Sequence, residues 1–312
     1  MSSTVSSPRI SVITPCMNAA RYLAEAIESV LREAREDVEH IVVDGGSTDD
    51  TLKVIARYPH LKVIGGPDQG IYDALNKGLA LARGAIVGIL NADDRYASGA
   101  FAAIDDAFRD ESTMGVLGQA VFFRDPAPVG EEEVDRFSPH GADLLELATV
   151  GSPMFNAWFF RRSLFTKIGD LDPRYRIAGD REFMLRFALS GLPFVTAERA
   201  ICQYRIHEGS LTFSGRAHVW EAIVREHLRM TSSYLERADL SPRARRLIRQ
   251  ARTRETLQMA VRAARRRELG PLLFYCMAGT RRDPLWPTQL MKRAATAVAR
   301  RVVDRVRRRG RT

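Results

Sequence analysis

The sequence predicts an α/β protein built on a mostly parallel, doubly wound central sheet flanked by helices, and three observations carry that prediction. Strand-like and helix-like segments alternate at the short spacing of βαβ units through the first hundred residues. The run Ala85 to Leu90 is apolar without interruption, as a central strand covered on both faces must be. Successive strands run into acidic turns at Asp44, at Asp68 and at Asp93 with Asp94. That sets carboxylates along the carboxyl edge of the sheet, where open α/β sheets bind their ligands.

Taken in order, Arg9 to Thr14 (RISVIT) forms the first strand and Pro15 stops it. A helix over about 19–35 follows, with Leu23, Ile27, Val30 and Leu31 on one face at helical spacing. Glu39 to Val43 is the second strand. It enters the turn DGGSTDD, from which Ser47 or Thr48 caps a helix reaching about Tyr58. Leu61 to Ile64 is the third strand, and Ile71, Leu75 and Leu79 mark a helix to Ala82 with Gly84 as its stop. The fourth strand, Ala85 to Leu90, ends in NADD. A helix then starts near Ser98, Met114 to Phe123 supplies one or two further strands, and Arg124 to Val134 reads as loop. Gly179 and Asp180 open a helix that turns Phe183, Met184, Phe187 and Ala188 inward.

Composition narrows the class. With 45% apolar and 27% charged residues over 312 positions, the chain is long enough for a substantial core. No apolar run approaches the roughly 20 residues of a spanning helix, and MSSTVSSPRISVIT lacks the parts of a secretory signal, so a cytoplasmic protein is expected. Three scattered cysteines, Cys16, Cys202 and Cys276, make neither a disulfide framework nor a zinc pattern. Neither GxGxxG after the first strand nor GxxxxGK[ST] occurs, which disfavours dinucleotide oxidoreductases and P-loop enzymes. Charge is divided along the chain. Residues 1–210 carry 22 Lys and Arg against 30 Asp and Glu, a balance of −8, whereas 211–312 carry 25 against 8, a balance of +17. An acidic globular unit is therefore followed by a basic tail suited to a polyanionic neighbour.

Hard cations such as Mg²⁺ or Mn²⁺ take oxygen ligands and are often held by one or two carboxylates together with substrate phosphates. Asp93 and Asp94 suit that chemistry, although a plain polar turn has the same composition. The surrounding motifs decide. TPCMN after the first strand, VVDGGSTDDT, PDQGIYDALNKG and LNADD, in this order and spacing, resemble the inverting, nucleotide-sugar-dependent glycosyltransferases of family two, which have the GT-A, Rossmann-like fold. The resemblance covers about residues 8–215. It implies a catalytic domain over 1–215 and leaves 216–312 as a basic, mainly helical C-terminal extension.

The resemblance implies that the turn after the second strand holds the nucleotide base and that the acidic motif after the fourth holds a divalent cation, Mg²⁺ or Mn²⁺, on the diphosphate. Asn91 occupies the first position of the usual DxD, which puts the metal on Asp93, with Asp94 behind it or on the ribose. Asp44 suits the ring N–H of a uracil-like base, Thr14 and Pro15 contact beside it, and Asp68 suits base or ribose. Lys77 is either a phosphate contact or a solvated surface charge. Cys16 has no His partner in its motif and is expected to be packing rather than a nucleophile. The segment AGDREFML resembles the pattern that supplies the general base. Asp180 is accordingly the catalytic residue, Glu182 a weaker candidate, and the plain alternative is a helix-capping Asp. YRIHEGSLT resembles the segment that closes over the diphosphate, with His207 a metal ligand or a phosphate donor. Phe155, Trp158, Phe159 and Phe160 are either an acceptor platform or, for the most part, core.

The basic tail alternates Arg with Leu, Ile, Ala and Val, and ATAVARRVVDRVRRR makes an amphipathic helix with Val298, Val302, Val303 and Val306 apolar. It lacks the aromatic interleaving that stacks bases, which favours an anionic membrane surface over nucleic acid. The expected partners are a nucleotide-sugar donor, a glycan or lipid-linked acceptor, and the inner face of the membrane. Two other classes compete: a sugar-nucleotide nucleotidyltransferase, whose Gly-rich basic signature TPCMNAARY does not match, and a nonenzymatic anion-binding protein, which leaves the acidic cluster unexplained.

Overall fold

The computed structural model describes residues 7–125, 130–210 and 217–280. The amphipathic segment containing Val298, Val302, Val303 and Val306, and Trp286 before it, lie outside the described residues. The chain divides into two compact units, Met1–Trp220 and Glu221–Thr312.

The first unit is a sheet with helices packed against it. Its strands are β1 (Ile10–Cys16), β2 (Val38–Asp44), β3 (Lys62–Gly65), β4 (Ile86–Ile89), β5 (Arg95–Tyr96), β6 (Gly115–Arg124), β7 (Glu132–Phe137), β8 (Trp158–Arg161) and β9 (Phe194–Arg205). They lie in the order β3-β2-β1-β4-β8-β6-β9-β5, with β7 beside β6. From β3 to β4 every pair is parallel, as the alternating pattern predicts. Beyond β4 the sheet is mixed: β8 is antiparallel to both neighbours, and β9 runs parallel to β6.

The helices of this unit are α1 (Leu23–Leu31), α2 (Thr51–Ile55), α3 (Ile71–Leu81), α4 (Ala100–Ala107), α5 (Leu144–Thr149), α6 (Arg162–Ile168) and α7 (Gly179–Ser190). One core cluster joins Ile10, Val12, Ile86 and Val116 of the sheet to Ala26 and Val30 of α1 and Phe101 and Ile104 of α4. Gly88 of β4 lies against it: a Cβ there would come within 2.4 Å of the Phe159 ring.

Several local expectations change. β1 continues through Pro15 to Cys16, because its pairing with β4 has ended at Ile13 and the missing proline N–H faces no lost ladder partner on that side. Neither Ser47 nor Thr48 caps α2. Asp49 does the local work instead, its Oδ1 accepting the Thr51 N–H at 3.0 Å. Part of the segment read as loop is β7, an exposed, mostly charged strand specified by its pairing with β6 rather than by any apolar alternation. Trp158, Phe159 and Phe160 are fully buried and Phe155 nearly so, with the Trp158 and Phe160 rings stacked at 5.7 Å. They are core, and the acceptor-platform alternative falls.

The helix α8 (Ala217–Glu236) spans the division between the units, and the second unit continues with α9 (Pro242–Arg266) and α10 (Leu269–Thr280). Ser241 caps α9, accepting the Ala244 N–H at 3.1 Å, and Pro242 occupies the first turn, where a missing N–H costs nothing. Leu257 and Ala260 of α9 pack against Leu272, Tyr275 and Cys276 of α10.

Candidate active site

The carboxyl ends of β1, β2 and β3 meet in register, with Cys16 beside Asp44 and Asp44 beside Gly65. The turn after β2 is knitted by its own acid. Asp44 is buried; its Oδ2 accepts the N–H groups of Gly46 (3.1 Å) and Ser47 (3.0 Å), while Oδ1 accepts the Ser47 hydroxyl and faces the Cys16 thiol at 3.8 Å. Asn18 locks the β1 turn onto this one, donating its N–H to Ser47 Oγ (2.8 Å) and accepting the Thr48 N–H (2.9 Å). For Asp44 to bind a base it must release one of these bonds.

Asp68 lies across Gly45, where a Cβ would come 2.4 Å from its Oδ2, so glycine is what lets the two turns meet. Its Oδ1 accepts the Gly70 N–H at 2.9 Å, and its Oδ2 has no hydrogen-bond partner among the described residues. Lys77, on α3, donates to Pro67 O (3.0 Å) and pairs with Asp73 (3.0 Å), so it braces this turn. Thr14 and Pro15 are buried, and the Thr14 hydroxyl is bonded to His40 Nε2 at 2.8 Å, so Thr14 offers a ligand backbone only. Burial, and after it the Asp44 carboxylate, pushes the Cys16 thiol up to about 12, which makes it an inert packing group as expected.

After β4 the two adjacent acids part company. Asp93 is 33% exposed. Its Oδ2 lies 2.9 Å from His207 Nε2, and its Oδ1 has no partner among the described residues. Asp94 is 1% exposed: Oδ2 accepts from the Asn156 side chain at 2.6 Å and from Asn91 at 3.4 Å, and Oδ1 accepts the Arg205 N–H at 2.9 Å. Burial, reinforced by Asp93, pushes the Asp94 carboxyl well above the usual range. In this geometry Asp94 is enclosed and anchors the loop that presents Asp93.

His207 lies beside Asp93, as its place in the same expected site requires. Its Nδ1 accepts the Gly209 N–H at 3.1 Å, which assigns the ring proton to Nε2 and makes His207 a donor to Asp93. Ligating through Nε2 would require moving that proton and giving up the Gly209 bond. Arg205, two residues earlier, is turned into the protein. It is 2% exposed, stacked over Tyr22 and Phe123, and bonded to the Asp93 carbonyl (3.0 Å), to Glu25 (2.6 Å) and to Asp125.

Asp180 sits in the first turn of α7, half-buried, where a carboxylate suits the helix dipole. Its Oδ1 accepts the Arg181 N–H at 2.7 Å and the Tyr72 hydroxyl lies at 3.1 Å; its Oδ2 has no partner among the described residues. The neighbouring candidate drops out. Glu182 is buried and paired with Arg186 at 2.9 Å, while Arg181 donates to the carbonyls of Thr149 and Gly151 at the end of α5.

The structure therefore brings the expected residues together in groups: Asp44 with Asp68, Lys77 beside them, and Asp93 with His207 above Asp94. Ala92 and Cys16 share one core cluster, which joins those two groups. Asp180 is linked to the donor-side helix through Tyr72, and no hydrogen bond joins it to Asp93 or His207 among the described residues. Sequence reasoning missed Tyr72, Glu25, the bond from Asn156 to Asp94 and the burial of Arg205, all of which are contacts across the fold.

Comparison with known proteins agrees with this fold. The family model Glycosyl transferase family 2 matches residues 11–169. An uncharacterized glycosyltransferase of Nostoc sp. is 31% identical over 244 residues, covering 73% of this chain and 74% of that protein. Among solved structures, S. aureus TarS 1–349 in complex with UDP-GlcNAc superposes with a TM-score of 0.59 at 18% identity, over 79% of this chain and 71% of that one. The mannosyltransferase PcManGT from Pyrobaculum calidifontis, in complex with GDP-Man and Mn²⁺, gives 0.57 at 20% identity, over 92% and 84%. On the family match and the Nostoc relative together, the chain belongs to glycosyl transferase family 2 and is a glycosyltransferase.

Proposed function

We propose that this glycosyltransferase moves a sugar from a nucleoside-diphosphate donor, a UDP-sugar by preference, to a hydroxyl acceptor with inversion at the anomeric carbon. The observation that carries the reading is two carboxylates, Asp93 after β4 and Asp180 at the start of α7, each with one oxygen anchored by the protein and the other without a partner among the described residues. Asp93 Oδ1 suits a hard cation, with His207 orienting the carboxylate through Oδ2 and substrate phosphates completing the shell. Among the described residues no cluster of three or more His, Cys, Asp or Glu side chains could cage a metal by itself, which fits Mg²⁺ or Mn²⁺ held largely by the diphosphate. When bound, the cation would offset charge building on the leaving diphosphate.

The protein's own groups supply the rest. Asp68 Oδ2, beside Gly45, is placed to accept from a base or ribose, and Asp44 holds the turn that Gly45 belongs to. Asp180 Oδ2 takes the proton of the acceptor hydroxyl as that oxygen attacks the face opposite the leaving group. The UDP-GlcNAc and GDP-Man complexes of the structural neighbours support a nucleotide-sugar donor, and the latter, with its Mn²⁺, supports a divalent ion.

A thermal-shift panel of UDP, GDP, dTDP and CDP, with Mn²⁺ or with chelator, tests the donor half. One nucleotide should raise Tm in the presence of metal, and Asp93→Ala should lose that shift; an unchanged shift would place the metal elsewhere. Asp180→Asn should keep the shift while transfer falls by roughly 10²–10⁴-fold. Retained transfer would reassign the base.

The acceptor is read as a glycan or lipid-linked saccharide, with the basic extension resting on an anionic membrane. No described helix is long and apolar enough to cross a membrane. In the second unit, Leu269, Leu273, Phe274 and Met277 of α10 are exposed close in sequence to Arg265, Arg266 and Arg267, a combination suited to an anionic interface. Full-length protein should float with vesicles containing anionic phospholipid and less so with neutral ones. Equal flotation after removal of 285–312 would take that segment out of the reading.

A further inference from the structure

The Tyr72 hydroxyl lies between two acceptors in the segment that carries Asp180: the Ile177 carbonyl at 2.8 Å and Asp180 Oδ1 at 3.1 Å. The Tyr72 ring is buried against Gly179, where a Cβ would come within 2.6 Å of it, so the glycine before Asp180 admits the ring. One turn along α3, Asn76 donates to the Leu171 carbonyl (2.7 Å) and accepts the Leu171 N–H (3.1 Å). Residues four apart on a helix share a face, so α3 holds both ends of the 171–177 segment that delivers Asp180. The same helix begins three residues after Asp68, at the turn proposed for the donor.

We infer that Tyr72 is a positioning residue for Asp180: it holds Oδ1 so that Oδ2 is the oxygen that receives the acceptor's proton. The inference rests on Asp180 being the base. A phenol carries one proton, and the two acceptors compete for it. While Asp180 is ionised the proton is directed to Oδ1, the stronger acceptor. When the acceptor O–H bond breaks, a new O–H bond forms at Oδ2 and Asp180 becomes neutral. Tyr72 keeps its own proton and turns it to the Ile177 carbonyl, 2.8 Å away. Both protonation states of Asp180 are thereby met without movement of α3 or α7, and the catalytic carboxylate keeps one orientation throughout.

Tyr72→Phe keeps the ring on Gly179 and removes only the hydroxyl. It should lower kcat about tenfold, the scale of one hydrogen bond to a charged group. Donor KM and nucleotide affinity should stay at wild-type values. In an Asp180→Asn background the same substitution should produce no further loss, because Tyr72 acts through the carboxylate. Gly179→Ala, which crowds the ring while leaving the hydroxyl present, is the second variant and should show the same kcat-selective loss. Wild-type kcat in Tyr72→Phe, or an equal fold-loss with and without Asp180, overturns the inference. Should Asp180→Asn itself transfer sugar at the wild-type rate, the base assignment fails first. Should it fail to transfer while Tyr72→Phe is unaffected, the positioning role alone is wrong.

Discussion

The two halves of the sheet bring residues to the site by different routes. In the parallel half, β1, β2 and β3 are neighbours in the order of the chain, and the acids at their ends are held within their own turns: Asp44 by Gly46 and Ser47, Asp68 by Gly70. In the mixed half the groups around Asp93 and Asp94 arrive from far along the chain. Asn156 is 62 residues from Asp94, and His207 is 114 from Asp93. The donor turn is thus a local structure, whereas the Asp93 loop exists in its present form only when the whole sheet has closed.

That contrast predicts where the fold is most easily broken. Arg205→Ala removes a cation stacked on two rings and bonded to the Asp93 carbonyl, and leaves Glu25 and Asp125 without it. A loss of about 3 kcal/mol is expected in urea unfolding. Asn156→Ala leaves buried Asp94 Oδ2 with only the 3.4 Å Asn91 contact, and should cost about 2 kcal/mol. Both should weaken metal-dependent nucleotide binding, since both hold the loop that presents Asp93. Lys77→Ala, at a half-exposed pair in the parallel half, should change stability by about 0.5 kcal/mol or less. If Lys77→Ala were as costly as Arg205→Ala, the distinction between the halves would collapse.

The same contrast decides what the sequence discloses. The alternating pattern, the strand-end acids and the run before Asn91 are local signals, and the parallel half with its motifs is legible from them. Asp180 at the start of α7 is legible for the same reason: the inward Phe183, Met184 and Phe187 mark the helix. Partnership across the fold is not. Nothing in NADD says which acid is buried, because the answer depends on Asn156 and on the backbone N–H of Arg205. Nothing in YRIH says that its arginine is buried, because that depends on Tyr22 and Glu25 of the segment around α1. The exposed strand β7 carries no apolar alternation and is specified by the edge of β6.

The parallel half has a weakness of its own, and it is set by pH. His40 on β2 is fully enclosed; burial, and after it the neighbouring His60, lowers its pKa from 6.5 to about 3. Nε2 is bonded to Thr14, whereas Nδ1 is buried without a partner among the described residues, so a second ring proton would find no acceptor there. The unfolded chain takes up a proton below about pH 6.5 that the folded chain refuses, so folding stability is fully present above that pH and declines as pH falls toward 3. Between pH 6.5 and 5.0 the decline from this one group should be about 1.5 kcal/mol. His40→Gln, which cannot titrate, should flatten that part of the stability curve relative to wild type, whatever its effect at neutral pH. Parallel slopes for the two proteins would mean that His40 gains a proton in the folded state, and that the strand-end turn above Thr14 opens more readily than its packing indicates.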